Sequence, residues 1–99
     1  MTPAGAITIG EGHPSLPGHF PGHPIVPGAL LLAEVFARLA TAHPGFIVAA
    51  LEQAKFLRPV RPGEVLALTI RMGEGARVHF TGMIGEEAAI RGVARMQPA

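Results

Sequence analysis

Residues 19–32, His19-Phe20-Pro21-Gly22-His23-Pro24-Ile25-Val26-Pro27-Gly28-Ala29-Leu30-Leu31-Leu32, change character part-way along. The first ten are broken by Pro21, Pro24 and Pro27 and by Gly22 and Gly28. Proline removes a backbone donor and restricts the residue before it, and glycine adds chain entropy, so neither helix nor sheet is expected there. From Ala29 the chain becomes a run of mostly good helix formers that reaches His43 and is stopped by Pro44-Gly45. A proline-stiffened loop therefore feeds one helix. That helix is apolar on nearly every side, as a helix enfolded by a sheet would be.

Working outward, the broken stretch extends back to Glu11 through Gly12, Pro14, Pro17 and Gly18. Long structureless loops are uncommon in small domains and tend to be functional, so side chains held here by proline are the first candidates for a site. Before it, Ala6 to Gly10 reads as a short strand. After the helix the period changes: Phe46 to Leu57, Glu64 to Met72, Arg77 to Ile84 and Ala88 to Met96 each fit a strand. Arg61-Pro62-Gly63, Gly73-Glu74-Gly75 and Gly85-Glu86-Glu87 separate them. In the second of these strands Leu66, Leu68, Ile70 and Met72 form a dry face, alternating with Val65, Ala67, Thr69 and Arg71. Strand, loop, buried helix and four strands on short connections predict an α+β fold with antiparallel pairing. No repeat, linker or low-complexity tract interrupts the chain.

Composition narrows the class of function. Ninety-nine residues make one domain, residues 1–99, that buries only about two thirds of its unfolded surface, so a partner subunit would help. At 48% hydrophobic and 15% charged the chain is globular rather than disordered. A formal charge of +1, with the basic residues dispersed, gives no footprint for nucleic acid. The absence of cysteine removes disulfides, thiolate zinc sites and cysteine nucleophiles, leaving His and Glu for chemistry. Apolar stretches such as Ala29 to Ala33 are far too short for a bilayer, so no membrane partner is expected and the cytoplasm is the default location.

The stretch from His19 to Leu32 resembles the signature of the hotdog-fold FabA/FabZ-type 3-hydroxyacyl-acyl-carrier-protein dehydratases, His-Phe-Pro-Gly-x-Pro-x-x-Pro-Gly followed by an apolar helix. A second block, Ala54-Lys-Phe-Leu-Arg-Pro-Val-Arg-Pro-Gly-Glu-Val-Leu66, is similar to that family's Lys-Phe-x-Arg-Pro-Val-x-Pro-Gly-Asp-x-Leu. The resemblance runs from Leu16 to Met96. It implies one long helix wrapped by a curved antiparallel sheet, usually in dimers with the active sites between subunits. The family normally carries more chain ahead of the histidine than the eighteen residues here, so its N-terminal cover is not expected.

Removing water from a 3-hydroxyacyl thioester needs a base for the α-proton, an acid for the leaving hydroxyl and donors for the charge growing on the thioester oxygen. The resemblance makes His19 the base, an imidazole able to take and return a proton near neutrality. It makes Gly28 the oxyanion donor, where a backbone N–H and the positive end of the helix face the substrate and no Cβ intervenes. Phe20, Pro27, Ala33 and Ala37 fall at substrate-contacting positions. The acid does not fit. The family's Asp or Glu stands fourteen residues after the histidine, which here is Ala33, and its Gln one turn later is Ala37. Glu34 is one residue late, about 100° around the helix and 1.5 Å along it. It is the reserve nomination for the acid, against a structural or interface ion pair with Arg38, four residues on. The chain contains no Asp, and its other carboxylates, among them Glu11, Glu52 and Glu64, lack suitable spacing.

Lys55, Arg58 and Arg61 on or beside the second block could meet the phosphopantetheine or acidic surface of an acyl carrier protein, or simply be solvated. No cofactor is implied, and His13, His19 and His23 lack the carboxylate or cysteine partners of a zinc site. His43 reads as a helix-end residue and His79 as an outward strand residue. The expected activity is dehydration of carrier-linked 3-hydroxyacyl thioesters to trans-2-enoyl thioesters, in fatty acid or related polyene or polyketide synthesis, by a homodimer. Two alternatives stand. One is a non-catalytic subunit that binds an acyl chain or pairs with an active homologue, motivated by Ala33 and Ala37. The other is a hotdog thioesterase, since fold alone does not settle chemistry.

Overall fold

A computed structural model describes residues 1–10 and 25–99. Along the chain it has strand β1 (Thr2–Ile7), helix α1 (Gly28–Ala42) and strands β2 (Phe46–Phe56), β3 (Leu66–Met72), β4 (Arg77–Ile84) and β5 (Glu87–Pro98). The five strands form one antiparallel sheet in the order β1-β3-β4-β5-β2, with α1 against it. This is the hotdog arrangement of one helix and one sheet.

The strongest local signals produced the centre of the sheet. Ile84 and Glu87 face each other across a two-residue turn whose first central residue, Gly85, has φ +60°, a conformation glycine enters freely. Leu66, Leu68 and Ile70 of β3, Val78 and Phe80 of β4, and Ala89, Ile90, Ala94 and Met96 of β5 are buried. They meet Leu31, Val35 and Leu39 of the helix in one core. Burying each large apolar side chain is worth about 1.5–3 kcal/mol against leaving it in water.

Four expectations need correction. The first strand lies at Thr2–Ile7 rather than Ala6–Gly10; Pro3 and Gly5 are tolerated because the strand is an edge and pairs on one side only. The dry face of β3 stops at Ile70, since Met72, at the strand end, is 54% exposed. The helix buries one stripe only: Leu31, Val35 and Leu39 face the sheet, while Ala29, Ala33, Ala37 and Thr41 are exposed. Finally, β2 pairs with β5 and not with its successor β3. The connection over 57–65 is too long and too proline-rich for a tight hairpin, and it carries the chain across the sheet with Val60 buried beneath it.

Candidate active site

The two quoted blocks lie far apart in sequence and meet in space. Val26, two residues before the helix, donates its N–H to Val60 O at 2.8 Å, and both side chains are buried. The segment between β1 and residue 11 is fastened nearby, with Gly63 N–H donating to Ile9 O at 2.8 Å. Both flanks of the undescribed stretch are therefore tied to one crossover, at positions three residues apart. His19 and Phe20, with Glu11, His13 and His23, lie outside the described residues.

At the helix start, Pro27 is the N-cap with no side-chain hydrogen bond, and its carbonyl accepts from Leu30 and Leu31 N–H at 3.1 and 3.2 Å. Among the described residues the N–H of Gly28 has no acceptor, which leaves a donor at the positive end of a fifteen-residue helix. The ring of Phe56 lies over Gly28: a Cβ added there would stand 2.8 Å from the ring's Cζ. Glycine thus gives the ring room for this approach, and Phe56, half exposed at the end of β2, forms an apolar wall beside the donor. Phe56 sits inside the second quoted block but received no role from sequence. Its meeting with Gly28 is a contact between distant segments, and only its large exposed ring at a strand end hinted at it.

The remaining nominated residues are separated by the helix geometry. Ala33 and Ala37 share the exposed stripe opposite the buried one. Glu34 is half-buried, in the same row as Arg38, which turns toward β1. The ion pair with Arg38 that their spacing allowed is not formed. Arg38 Nη2 donates instead to Ala6 O at 3.1 Å, a tertiary contact that overrides the local one. Glu34 therefore does not occupy the face of position 33.

On the crossover, Arg61-Pro62-Gly63-Glu64 is a turn closed by Glu64 N–H to Arg61 O at 3.2 Å, with proline and then glycine (φ +87°) at its centre. The Glu64 carboxylate accepts from Arg61 N–H at 2.7 Å and from Arg58 Nη2 at 2.7 Å. The Arg61 N–H first, and Arg58 with it, hold this carboxyl below the usual carboxylate range. Arg58 also reaches Glu87 at 3.2 Å, so its guanidinium is occupied, and the hydrogen bond to Glu64 raises its pKa further. Lys55 and Arg61 are exposed.

His43 caps the C-terminus of the helix, with its N–H on Leu39 O at 3.1 Å and Nδ1 2.9 Å from the same oxygen. His79 is on the outward face of β4, between the buried Val78 and Phe80. Among the described residues no group of three or more His, Cys, Asp or Glu is placed to hold a metal ion.

Comparison with known proteins gives this geometry a context. Residues 3–93 match the ApeI-like family, described as ApeI dehydratase. The 3-hydroxyacyl-[acyl-carrier-protein] dehydratase FabZ of Thermomicrobium roseum is 38% identical over 84 residues, covering 77% of this chain and 55% of that protein. FabZ of Thermus thermophilus is 39% identical over 92 residues, covering 83% of this chain and 59% of that protein. The chain thus spans less than two thirds of the length of these relatives. Among solved structures, the dehydratase heterocomplex ApeI:P from Xenorhabdus doucetiae superposes with a TM-score of 0.79 at 26% identity, covering 92% of this chain and 82% of that one. A protein from Erwinia carotovora subsp. atroseptica shares the fold, with a TM-score of 0.74 at 24% identity. Sequence match and fold agree, and the chain belongs to the ApeI-like dehydratase family.

Proposed function

We propose that this chain, as one hotdog domain over residues 1–99, dehydrates 3-hydroxyacyl thioesters carried on acyl carrier protein to trans-2-enoyl thioesters. The pathway would be fatty acid synthesis or a related polyene or polyketide synthesis. The observation that carries the reading is the meeting of the two signature blocks at the start of α1, where Val26 bonds to Val60 and Phe56 covers Gly28. In this reaction His19 takes the proton from C2 of the substrate. The Gly28 N–H, helped by the helix dipole, holds the charge that grows on the thioester oxygen. The hydroxyl leaves C3 with a proton as water, and the C2–C3 double bond remains. Glu34 is the nominated source of that proton. Phe20, Pro27, Ala33 and Ala37 contact the acyl thioester, and Lys55 and Arg61, with exposed charges, meet the acidic carrier; Arg58, already paired, would serve them by holding the turn.

The active assembly in this proposal is a homodimer formed along β2. That edge strand is eleven residues long and exposes Phe46, Ile47, Leu51 and Phe56. A partner paired there would reach the helix start through Phe56. No described helix is long and apolar enough to cross a membrane, and a cytoplasmic location is part of the proposal. A second reading, a subunit that works only beside an active homologue, is favoured by Ala33 and Ala37 on the uncovered face of α1, where the family's polar pair would stand. The Xenorhabdus protein is itself described as a heterocomplex.

The test is hydration of trans-2-enoyl thioesters of several lengths by the wild type, His19→Ala and Glu34→Gln. Turnover by the wild type that falls about a hundredfold to ten-thousandfold in His19→Ala supports the enzyme. A similar fall in Glu34→Gln keeps Glu34 as the acid, and an unchanged rate removes it. No turnover at any length, restored by adding an active homologue, establishes the second reading.

A further inference from the structure

A cavity of about 480 Å³ opens between β1 and the last turns of α1, with the β1 backbone from Pro3 to Ala6 as one wall and Arg38, Thr41 and Ala42 as the other. Arg38 stands ten residues beyond Gly28, about 15 Å along the helix, so this cavity is separate from the helix start. It owes its shape to a break in register between β1 and β3 over Pro3 to Ala6. Within the break Gly5 has φ +96°, and a Cβ there would lie 3.5 Å from Arg38 Cδ and 3.7 Å from its Nε. The arginine stem therefore lies on the bulge.

Its charge is handled differently from those of the comparable arginines. Among the described residues, Arg38, Arg58 and Arg77 are the half-buried arginines. Arg58 has Glu64 at 2.7 Å and Arg77 has Glu52 at 2.6 Å, whereas no described carboxylate pairs with Arg38. A guanidinium carries five N–H donors. Arg38 spends one on Ala6 O, and its Nε is out of water with no acceptor among the described residues. Among the described residues this half-buried guanidinium has no counter-ion, and an anion beside it in an apolar concavity is held more strongly than in bulk solvent.

The rest of the lining defines the ligand. Pro3, Ala4, Ala6 and Ala42 offer aliphatic surface, and the Thr41 hydroxyl donates to Ala37 O at 3.0 Å. One cation neutralises one negative charge, which suits a carboxylate better than a phosphate dianion. The volume falls within the range of small-molecule sites. We propose that this groove binds a monocarboxylate with an apolar tail, its head on Arg38 and its tail along the Pro3–Ala6 bulge. The proposal is independent of the dehydration reading.

The experiment is a titration of the ¹⁵N-labelled full chain with octanoate, following the Gly5 amide and the Arg38 Nε–H by NMR. Saturable shifts at both are expected, with octan-1-ol and inorganic phosphate each binding more weakly by about tenfold or more. Arg38→Gln should weaken octanoate by about the same factor. Ala42→Leu fills the groove from an exposed position, leaves the Arg38–Ala6 bond in place, and should weaken it too. No shift at Gly5 and Arg38, octanol or phosphate binding as well as octanoate, or either folded variant binding as tightly as the wild type overturns the proposal.

Discussion

The two edges of the sheet differ in length, in proline and in exposed apolar surface. β1 is six residues long, carries Pro3, and bends at a bulge around Gly5, all devices that stop another strand from adding to it. β2 is eleven residues long and presents Ile47 and Leu51 at 44% and 38% exposure, with no proline in its span. Its register against β5 also breaks, between Val48 and Ala50 and between Leu51 and Gln53, and it carries Lys55, so the contrast with β1 lies in length, proline and exposed apolar surface. β2 also ends at Phe56, against Gly28, so the open edge and the helix start are one region. In the proposed homodimer the longer and more apolar edge is the one that pairs, which is also where the proposed chemistry lies.

If the edges differ in this way, equal insults must have unequal effects. The largest is expected at β2: Ile47→Lys with Leu51→Lys should abolish self-association, because the dimer loses the apolar area these side chains still expose, worth about 1–2.5 kcal/mol, and would have to bury two lysine charges. Sedimentation equilibrium reads this directly, and a dimer of unchanged affinity would break the comparison. Next is Gly28→Ala, which pushes the Phe56 ring off the helix start. Turnover should fall by about ten- to a hundredfold while the melting temperature moves little, because a half-exposed ring can yield. On the protected edge, Gly5→Ala places a Cβ at φ +96° and should cost about 1 kcal/mol of stability, measured by denaturant unfolding, with no effect on assembly.

The smallest effect is expected in the crossover that joins the two sides. The Glu64 carboxyl is held below its ordinary value of 4.5 in the folded chain. Its contribution is therefore full above that value and is lost as pH falls through the lower folded pKa. Glu64→Gln should melt a few degrees below the wild type at neutral pH, and the gap should close in acid below about pH 4.5. A gap that widens in acid would contradict the assignment.

Local signals in the sequence were enough for some elements and silent on others. β4 is Arg77–Ile84 as read, and α1 is displaced by one residue, because glycine turns and a helix-forming run bounded by proline act within a few residues. The strand order was not legible, since the pairing of β2 with β5 depends on where a proline-broken crossover carries the chain. Nor was the one-sided burial of α1, because alanine suits a covered face and an uncovered one equally. At the site, the role of Gly28 was proposed from a signature, but the Phe56 ring over it and the turning of Arg38 to Ala6 are contacts between distant segments. No spacing rule encodes them.

The most direct measurement is the rate at which the purified full chain hydrates a trans-2-enoyl thioester, compared with His19→Ala under the same conditions. The account predicts measurable turnover by the wild type and a loss of about two orders of magnitude or more in the variant, with folding and assembly unchanged. Equal rates in the two proteins would contradict it.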